Sequence, residues 1–301
     1  SGSPDDLTFG TADINGDVLN IGGNTFYVND ITIGAAGSPP DFGATKYLAR
    51  PTGSGKIVLQ ADGVDTPSIT AYMLPANLPT SGREVRIEAP IELQADTWIE
   101  RIGDTASPAG SRQLWLTGPI SGNANLTLKS NSNSWTGAIC LAGDNTFTGN
   151  VNVVGNTDVT ISRANALGNS ANQVTFGNEG NGVFQFESLP AGSTIPYNIA
   201  LPTSPARSLY LYWSWNDGAP LANRDITFSG NFTGGGAGAY NVLIYARDWR
   251  RVIFTGANPY DGYLGITNGS EVIIGGANTS NVALENVDAV RSGTLALTWV
   301  G

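Results

Sequence analysis

The side chains able to do nucleophilic, acid–base or metal chemistry are few in this sequence, and they lack their usual partners. The 301 residues contain no histidine and a single cysteine, Cys140. The missing histidine excludes Ser-His-Asp and Cys-His nucleophilic sites and every zinc site with a histidine ligand. Cys140 lies between Ile139 and Leu141 in an apolar run, which indicates a small core side chain. We therefore expect a protein that is not an enzyme and that carries no cofactor.

One short stretch has the spacing of a metal-binding loop. Asp13, Asn15 and Asp17 follow the pattern that opens calcium loops. The pattern then fails, because Val18 stands where the loop needs glycine and Asn24 replaces the closing glutamate. An Asx-rich turn between two strands is the favoured interpretation. These three residues are kept only as a weak metal candidate, and no metal site is predicted.

Carboxylates could also converge in a site that cleaves polysaccharides, which needs two or three acids on one face. Glu88 and Glu92 flank Ala89-Pro90-Ile91 with even spacing, so the sequence predicts that both lie on one strand face. A solvated strand face is the favoured interpretation of this pair. Convergence of acids from different strands is not visible in the sequence.

The densest aromatic stretch is SLYLYWSWNDG, which starts at Ser208. Strand alternation predicts that one set of its side chains fills the interior while the other forms an outward aromatic platform. Such a platform would stack on sugar rings or pack against a partner subunit. Core residues with scattered surface aromatics are the plainer alternative. The candidate surface residues, including one from a later segment, are Tyr210, Tyr212, Trp213, Trp215 and Trp249.

The elements that would carry these residues are predicted to be short strands. The chain has 39 glycines and only 13% charged residues. Alternating runs of four to six residues are separated by Gly, Asn, Asp or Pro, which is typical of an all-β protein. The net charge of −10 opposes binding to nucleic acid or to an anionic membrane surface. No apolar run is long enough to insert into a bilayer.

One pattern occurs twice. LAGDNTFTGNVNVVGNTDVTI from Leu141 aligns without a gap with FTGANPYDGYLGITNGSEVII from Phe254, at an offset of 113 residues. Upstream, Trp115 and Phe228 both lie 26 residues before these starts. Glycine supplies positive φ or space at a corner, and asparagine tolerates the same backbone region. We interpret the pattern as a building block whose turn positions are Gly143, Asn145, Gly149, Gly256, Asn258 and Gly262.

This long period, built from short strand–turn pieces, predicts a solenoid. Its internal units would be residues 84–190 and 195–301, after a diverged N-terminal part at 1–83, all within one solenoid spanning 1–301. Stacked coils bury one continuous core because the inward residues of each coil pack on those of its neighbours. The unit spacing also fits the alternative of tandem β-sandwiches.

The stretch LTGPISGNANLTLK, followed by LAGDNTFTGNVNVVGNTDVTISRANALG, resembles the autotransporter-associated β-strand repeat of secreted bacterial proteins. The shared features are an I-S-G turn, an L-T-L strand, the L-x-G-x-N-T-F-T-G run and a closing A-x-A-L-G segment. The resemblance implies a right-handed parallel β-helix outside the cell or on the bacterial surface. The family often carries a C-terminal membrane barrel, and nothing here resembles one.

These observations favour a non-enzymatic structural or surface protein, such as an adhesin stalk, a surface-layer component or a self-assembling filament subunit. The alternative is a carbohydrate-binding or polysaccharide-cleaving β-helix, such as a lyase, a hydrolase or a phage-type fibre. Expected partners are a further copy of the chain, docked head to tail, or a host or glycan surface. The expected location is extracellular or on the bacterial cell surface.

Overall fold

The computed structural model describes residues 5–9, 18–34, 46–51, 54–73, 83–103, 112–131, 138–187, 189–190, 192–204, 207, 209–213, 225–245, 251–258, 261–267 and 271–274. Over these ranges the chain forms 25 strands and no helix. Every strand pairing within them is parallel. The predicted β-solenoid is confirmed, as expected for a right-handed β-helix, whereas sandwiches use antiparallel sheets.

The strands stack in four columns, here called faces. Face 1 contains the first half of β3 (Thr25–Ile33), β5 (Lys56–Leu59), β8 (Ile91–Leu93) and β11 (Ile120–Gly122). Face 2 contains β1 (Asp5–Phe9), the second half of β3, β6 (Ser68–Met73), β9 (Thr97–Gly103), β12 (Leu126–Ser130), β14 (Val151–Gly155), β16 (Gln173–Phe176), β19 (Asn198–Leu201) and the start of β22 (Phe232–Tyr245).

Face 3 contains β2 (Val18–Gly22), β4 (Lys46–Pro51), β7 (Arg83–Ile87), β10 (Arg112–Leu116), β13 (Ala138–Leu141), β15 (Asp158–Ile161), β17 (Gly182–Phe186), β20 (Leu209–Trp213), the end of β22, and β24 (Asp261–Thr267). Face 4 is a separate four-stranded sheet made of β18 (Ser193–Ile195), β21 (Asp225–Phe228), β23 (Arg251–Phe254) and β25 (Glu271–Ile274). The pairings β16–β19 and β17–β20 cross the boundary between the two predicted units.

Coil length varies while the rungs stay in register. Along face 3, Val85 pairs with Leu114, Leu114 with Ile139, Ile139 with Val159, and Val159 with Phe184. Successive coils therefore span 29, 25, 20 and 25 residues. The connections between faces absorb the differences, so the stacking depends on the short strands and not on a fixed repeat length.

The core is a set of apolar ladders that run through successive coils. On face 2, Leu126, Val151, Val174, Ile199 and Phe232 lie one behind another, and each is at most 1% exposed. Burying a side chain of this size stabilises the fold by about 1.5–3 kcal/mol relative to exposure. Because each ladder residue packs on both neighbouring coils, the coils share one continuous interior.

Aromatic rings fill the interior in the C-terminal half. Phe228 stacks on Phe254 with ring centroids 5.4 Å apart and an interplanar angle of 16°. Phe232 meets Phe228 edge-on at 5.4 Å, and Phe186 meets it edge-on at 5.8 Å. These contacts link faces 2, 3 and 4, so they hold the later coils together across the core.

Candidate functional site: the repeated coil corner

The first copy of the repeated pattern places an asparagine inside a corner. Asn145 is only 2% exposed. Its Oδ1 accepts a hydrogen bond from the backbone N–H of Ile120 at 2.7 Å, and its Nδ2 donates to the carbonyl of Ala166. Since Ile120 belongs to the preceding coil and Ala166 to the following turn, one amide satisfies backbone groups on both sides.

The second copy repeats half of this arrangement. Asn258 is 4% exposed, and its Oδ1 accepts a hydrogen bond from the backbone N–H of Phe232 at 3.2 Å. Its Nδ2 donates to the carbonyl of Gly256 at 3.0 Å. Asn145 and Asn258 therefore accept hydrogen bonds from equivalent backbone N–H groups one coil earlier, but they donate to different carbonyls.

The corner glycines are required by close contact between coils. A Cβ on Gly143 would lie 2.2 Å from the carbonyl oxygen of Gly118, and one on Gly256 would lie 2.2 Å from that of Gly230. A Cβ on Gly149 would lie 1.9 Å from the oxygen of Ala124. The expectation that a Cβ would be obstructed at Gly149 is confirmed, whereas positive φ, the other reason for a corner glycine, is found at none of the three positions.

Two further points concern the alignment of the copies. Gly262 is the second residue of β24, and its surroundings lie outside the described side chains.

Upstream, the N–H of Ala142 donates to the carbonyl of Leu116, and that of Thr255 donates to the carbonyl of Phe228. The structural counterpart of Phe228 is therefore Leu116, one residue after Trp115, which was the predicted counterpart. A one-residue gap separates the copies before their aligned blocks.

The second copy is also displaced by one face around the solenoid. Ile120 pairs with β8 on face 1, whereas its counterpart Phe232 pairs with β19 on face 2. Val151 lies on face 2, whereas its counterpart Leu264 pairs with β22 on face 3. The motif thus specifies the geometry between neighbouring faces, and it does not depend on which faces these are.

A second set of polar side chains forms an external ladder along the corner that precedes face 2. The N–H of Asn125 donates to Oδ1 of Asp96 at 2.8 Å, that of Asn150 to Oδ1 of Asn125 at 2.9 Å, and that of Gln173 to Oδ1 of Asn150 at 3.1 Å. In each bond the side chain of the earlier coil accepts from the later coil. This direction is opposite to that at Asn145.

The same ladder continues in later coils, where the N–H of Asn231 donates to Oδ1 of Asn198 and that of Ala257 donates to Oδ1 of Asn231. Our sequence reasoning missed this ladder. A usable signal was present, since Asn125, Asn150, Asn198 and Asn231 each come directly before the first apolar residue of a strand. Asparagine before a strand therefore marks the external corner in this chain.

A buried ionisable pair lies between faces 2 and 3. Arg101 and Asp158 are each 4% exposed, and Arg101 Nη1 donates to Ser130 Oγ at 3.3 Å. Burial raises the pKa of the Asp158 carboxyl well above its ordinary value, and the Arg101 guanidinium opposes this shift only in part. Within the described residues, Asp158 Oδ2 has no hydrogen-bond partner. A carboxyl in this setting favours its neutral form.

One row of residues on the outer side of face 3 is buried. Trp115, Cys140, Thr160 and Gln185 occupy one register row on that side, and each is at most 7% exposed. The Arg86 guanidinium lies 4.9 Å from the centroid of the Trp115 ring. Burial raises the pKa of the Cys140 thiol well above its ordinary value, so the thiol is protonated and unreactive. Cys140 is a buried core residue, as expected, and it packs with Trp115 in a small cluster beside the larger one.

The aromatic strand β20 belongs to the same face. Leu209 and Leu211 are buried in the core, and Tyr210 is half-buried on the opposite side. Tyr212 and Trp213 occupy register positions beside β17, but their side chains lie outside the described ones. Trp215 and Trp249 lie outside the described residues. The outward aromatic platform therefore stays a prediction.

The carboxylate candidates are not brought together. Asp13, Asn15 and Asp17 lie outside the described residues. Glu88 follows β7 on face 3, whereas Glu92 lies on β8 of face 1, because a bend at Ala89 and Pro90 separates them. The prediction that both share one strand face was wrong.

Glu92 instead pairs with Lys56 on the outer side of face 1. Its Oε2 lies 2.5 Å from Lys56 Nζ, and this hydrogen bond lowers the pKa of Glu92 and raises that of Lys56. In the described part of the chain, no three carboxylate or thiol groups cluster as metal ligands would. No helix among the same residues is long and apolar enough to cross a membrane.

Comparisons with known proteins give no assignment. No family model matches the chain, and neither a curated protein nor a solved structure matches it. The resemblance to autotransporter-associated repeats therefore stays a prediction, and function has to be argued from the geometry of the coils.

Proposed function

We propose that this chain is a non-enzymatic structural protein whose solenoid acts as a rigid extracellular or cell-surface element. A stalk, a surface layer and a filament are the architectures that this proposal covers. The observation that carries it is the use made of the repeated residues. Asn145, Asn258, Gly143 and Gly256 all act on the backbone of the neighbouring coil.

Repetition of a binding or catalytic residue would place equivalent side chains on the surface, where a ligand can reach them. Here the residues that the two copies share are buried and bridge coils, and the second copy does this on a different pair of faces. What the repeat preserves is therefore the ability to extend the solenoid. An extended, stiff body is the property that a stalk or filament needs.

The surface location is supported by composition, by the repeat resemblance and by the cysteine. The chain has 13% charged residues, and its one cysteine is buried. A buried thiol is protected from oxidation, so the chain is compatible with an oxidising environment.

Electron microscopy of the purified chain, combined with sedimentation over a wide concentration range, tests the proposal. We expect rods one solenoid wide, or fibres of that width if copies dock end to end. A compact particle would contradict it. Hydrolysis or elimination of a polysaccharide by the chain would also contradict it and would favour the enzymatic alternative.

A further inference from the structure

The outer side of face 2 carries a continuous uncharged surface, here called the polar strip. It consists of two parallel rows of residues in register on successive coils. The first row is Thr127, Asn152, Thr175, Ala200 and Thr233. The second row, along the adjoining corner, is Asn125, Asn150, Gln173, Asn198 and Asn231. All ten are half-exposed or exposed.

The polar side chains of the first row are not used in hydrogen bonds between coils. Within the described part of the chain, the side chains of Thr127, Asn152, Thr175 and Thr233 make no hydrogen bond. The contrast with the corner is direct, since Asn150 accepts a backbone N–H two residues before the uncommitted Asn152. Donors and acceptors are therefore presented in line at a coil spacing of about 4.8 Å, with a gap of one coil at Ala200.

An exposed tryptophan stands at the N-terminal end of the strip. Trp98 is in register with Thr127 and is 39% exposed. Lys129 Nζ lies over one face of its ring, 5.9 Å from the centroid, and 2.8 Å from Glu100 Oε1, so the cation on that face is paired. From Trp98 to Thr233 the strip runs through five coil steps, a distance of about 24 Å at that spacing.

We propose that the polar strip binds a neutral polysaccharide chain lying along the solenoid axis, with one sugar ring stacked on Trp98. Aromatic faces are electron-rich and attract the C–H side of a pyranose ring. Hydroxyl and amide groups match sugar hydroxyls without requiring charge. Charge also argues against an anionic polymer, because neither row contains a cation, Lys129 at Trp98 is paired with Glu100, and the chain carries a net charge of −10. The surface goes beyond the proposed structural role, since a rod needs no such strip.

Co-sedimentation with insoluble cellulose, chitin and β-1,3-glucan, together with affinity electrophoresis in soluble mannan, tests the proposal. Polygalacturonate serves as the anionic comparison. We expect binding to at least one neutral polymer and none to polygalacturonate. Trp98→Ala should weaken binding roughly tenfold, as expected for loss of one stacked ring. Thr175→Arg, which places a long charged side chain in mid-strip, should abolish it.

Tyr27→Ala is the matched control, because Tyr27 is 53% exposed on face 1 and lies off the strip. Its binding should equal that of the parent chain, and all three variants should keep the parent's thermal midpoint within about 2 °C, as expected for surface changes. Absence of binding to every neutral polymer, preference for polygalacturonate, or equal loss in Tyr27→Ala would overturn the proposal. Rods that bind none of these polymers would leave the structural proposal intact.

Discussion

At the scale of single residues, asparagine does two different jobs in this chain. The buried asparagines, Asn145 and Asn258, accept backbone N–H groups that would otherwise be unsatisfied in a dry corner. The exposed ones, such as Asn150, accept N–H groups that water could also reach. Because the penalty for an unmade hydrogen bond depends on burial, the two groups should differ in their contribution to stability.

The first prediction concerns the buried amides. Asn145→Ala and Asn258→Ala each leave a buried N–H without its acceptor, which should lower the free energy of unfolding by about 1–3 kcal/mol. Urea denaturation followed by circular dichroism measures this change. Asn152→Ala, at an exposed position without intramolecular hydrogen bonds, is the control and should stay within about 0.5 kcal/mol of the parent. Equal losses in the free energy of unfolding at all three positions would contradict the larger contribution expected of the buried amides.

The second prediction concerns the contact between corner glycines. Gly143→Ala forces a Cβ to within 2.2 Å of the Gly118 oxygen unless the coils separate, so it should destabilise the fold strongly. Gly23→Ala is the matched control, because nothing lies within 4 Å of the added Cβ and the backbone there needs no positive φ. The midpoint of thermal unfolding should fall clearly for the first variant and hardly at all for the second. A Gly143→Ala protein as stable as the parent would mean that the coils are not held at this distance.

The third prediction concerns pH and Asp158. Its folded pKa is raised above the unfolded value, so between those two values the native chain binds more protons than the unfolded chain does. The stabilising contribution of Asp158 to the free energy of unfolding is fully present below the unfolded pKa, and it is lost as pH rises through the folded pKa. Asp158→Asn removes this loss. The stability of the variant minus that of the parent should therefore be larger at neutral pH than near pH 4.

Urea midpoints at the two pH values measure the effect in the parent and in Asp158→Asn. Asp144→Asn, which alters an exposed aspartate, controls for the change in net charge. If the stability of Asp158→Asn relative to the parent were instead lower at neutral pH than near pH 4, the attraction of Arg101 for the carboxylate would outweigh the cost of burying it.

At the scale of elements, faces 2 and 3 differ in how they treat their outer sides. Strands of face 2 alternate buried and half-exposed residues, as in β12. Strands β15 and β17 of face 3 are buried at every position. Strands buried on both sides are the more protected elements, so local opening should be rarer there than on face 2.

The fourth prediction uses Cys140 to measure that protection. The thiol should react with a disulfide reagent such as DTNB only when face 3 opens, so labelling in native buffer should be much slower than in urea. Trp115→Ala removes the ring beside Cys140 and should accelerate labelling, whereas Trp98→Ala on face 2 should leave the rate unchanged. Rapid labelling of the parent chain would show that the outer side of face 3 is open.

The elements themselves were largely predictable, but their places were not. Alternation and turn residues indicated the strands, and the repeat indicated a solenoid. Register between coils depends on residues 20 to 39 positions apart, such as Lys46 and Val85 at the upper end, and connections of varying length obscure it. This is why the even spacing of Glu88 and Glu92 wrongly predicted one strand face. The external ladder escaped notice because it needs coils in register before it exists.

At the scale of the whole molecule, stability is shared among neighbours. Each described coil packs on the one before and the one after, so the free energy of folding is close to a sum of coil and interface contributions. The shift of the second copy by one face shows that the motif forms a corner at two different pairs of faces. Strength along the axis therefore comes from repetition of one local geometry, and the polar strip lies across several of these interfaces.

The two directions of the corner hydrogen bonds have a consequence for how the chain is made. Exposed asparagines offer acceptors to the coil that comes next, and Asn145 reaches back to seal the coil already formed. The corner hydrogen bonds of a coil are thus complete only when the next coil has formed. A chain that emerges with its N-terminus first, from a ribosome or a translocation pore, would form a new set of corner hydrogen bonds as each coil emerges. Each such hydrogen bond stabilises the junction between a coil and the next one, so the coils would become stable in the order in which they emerge.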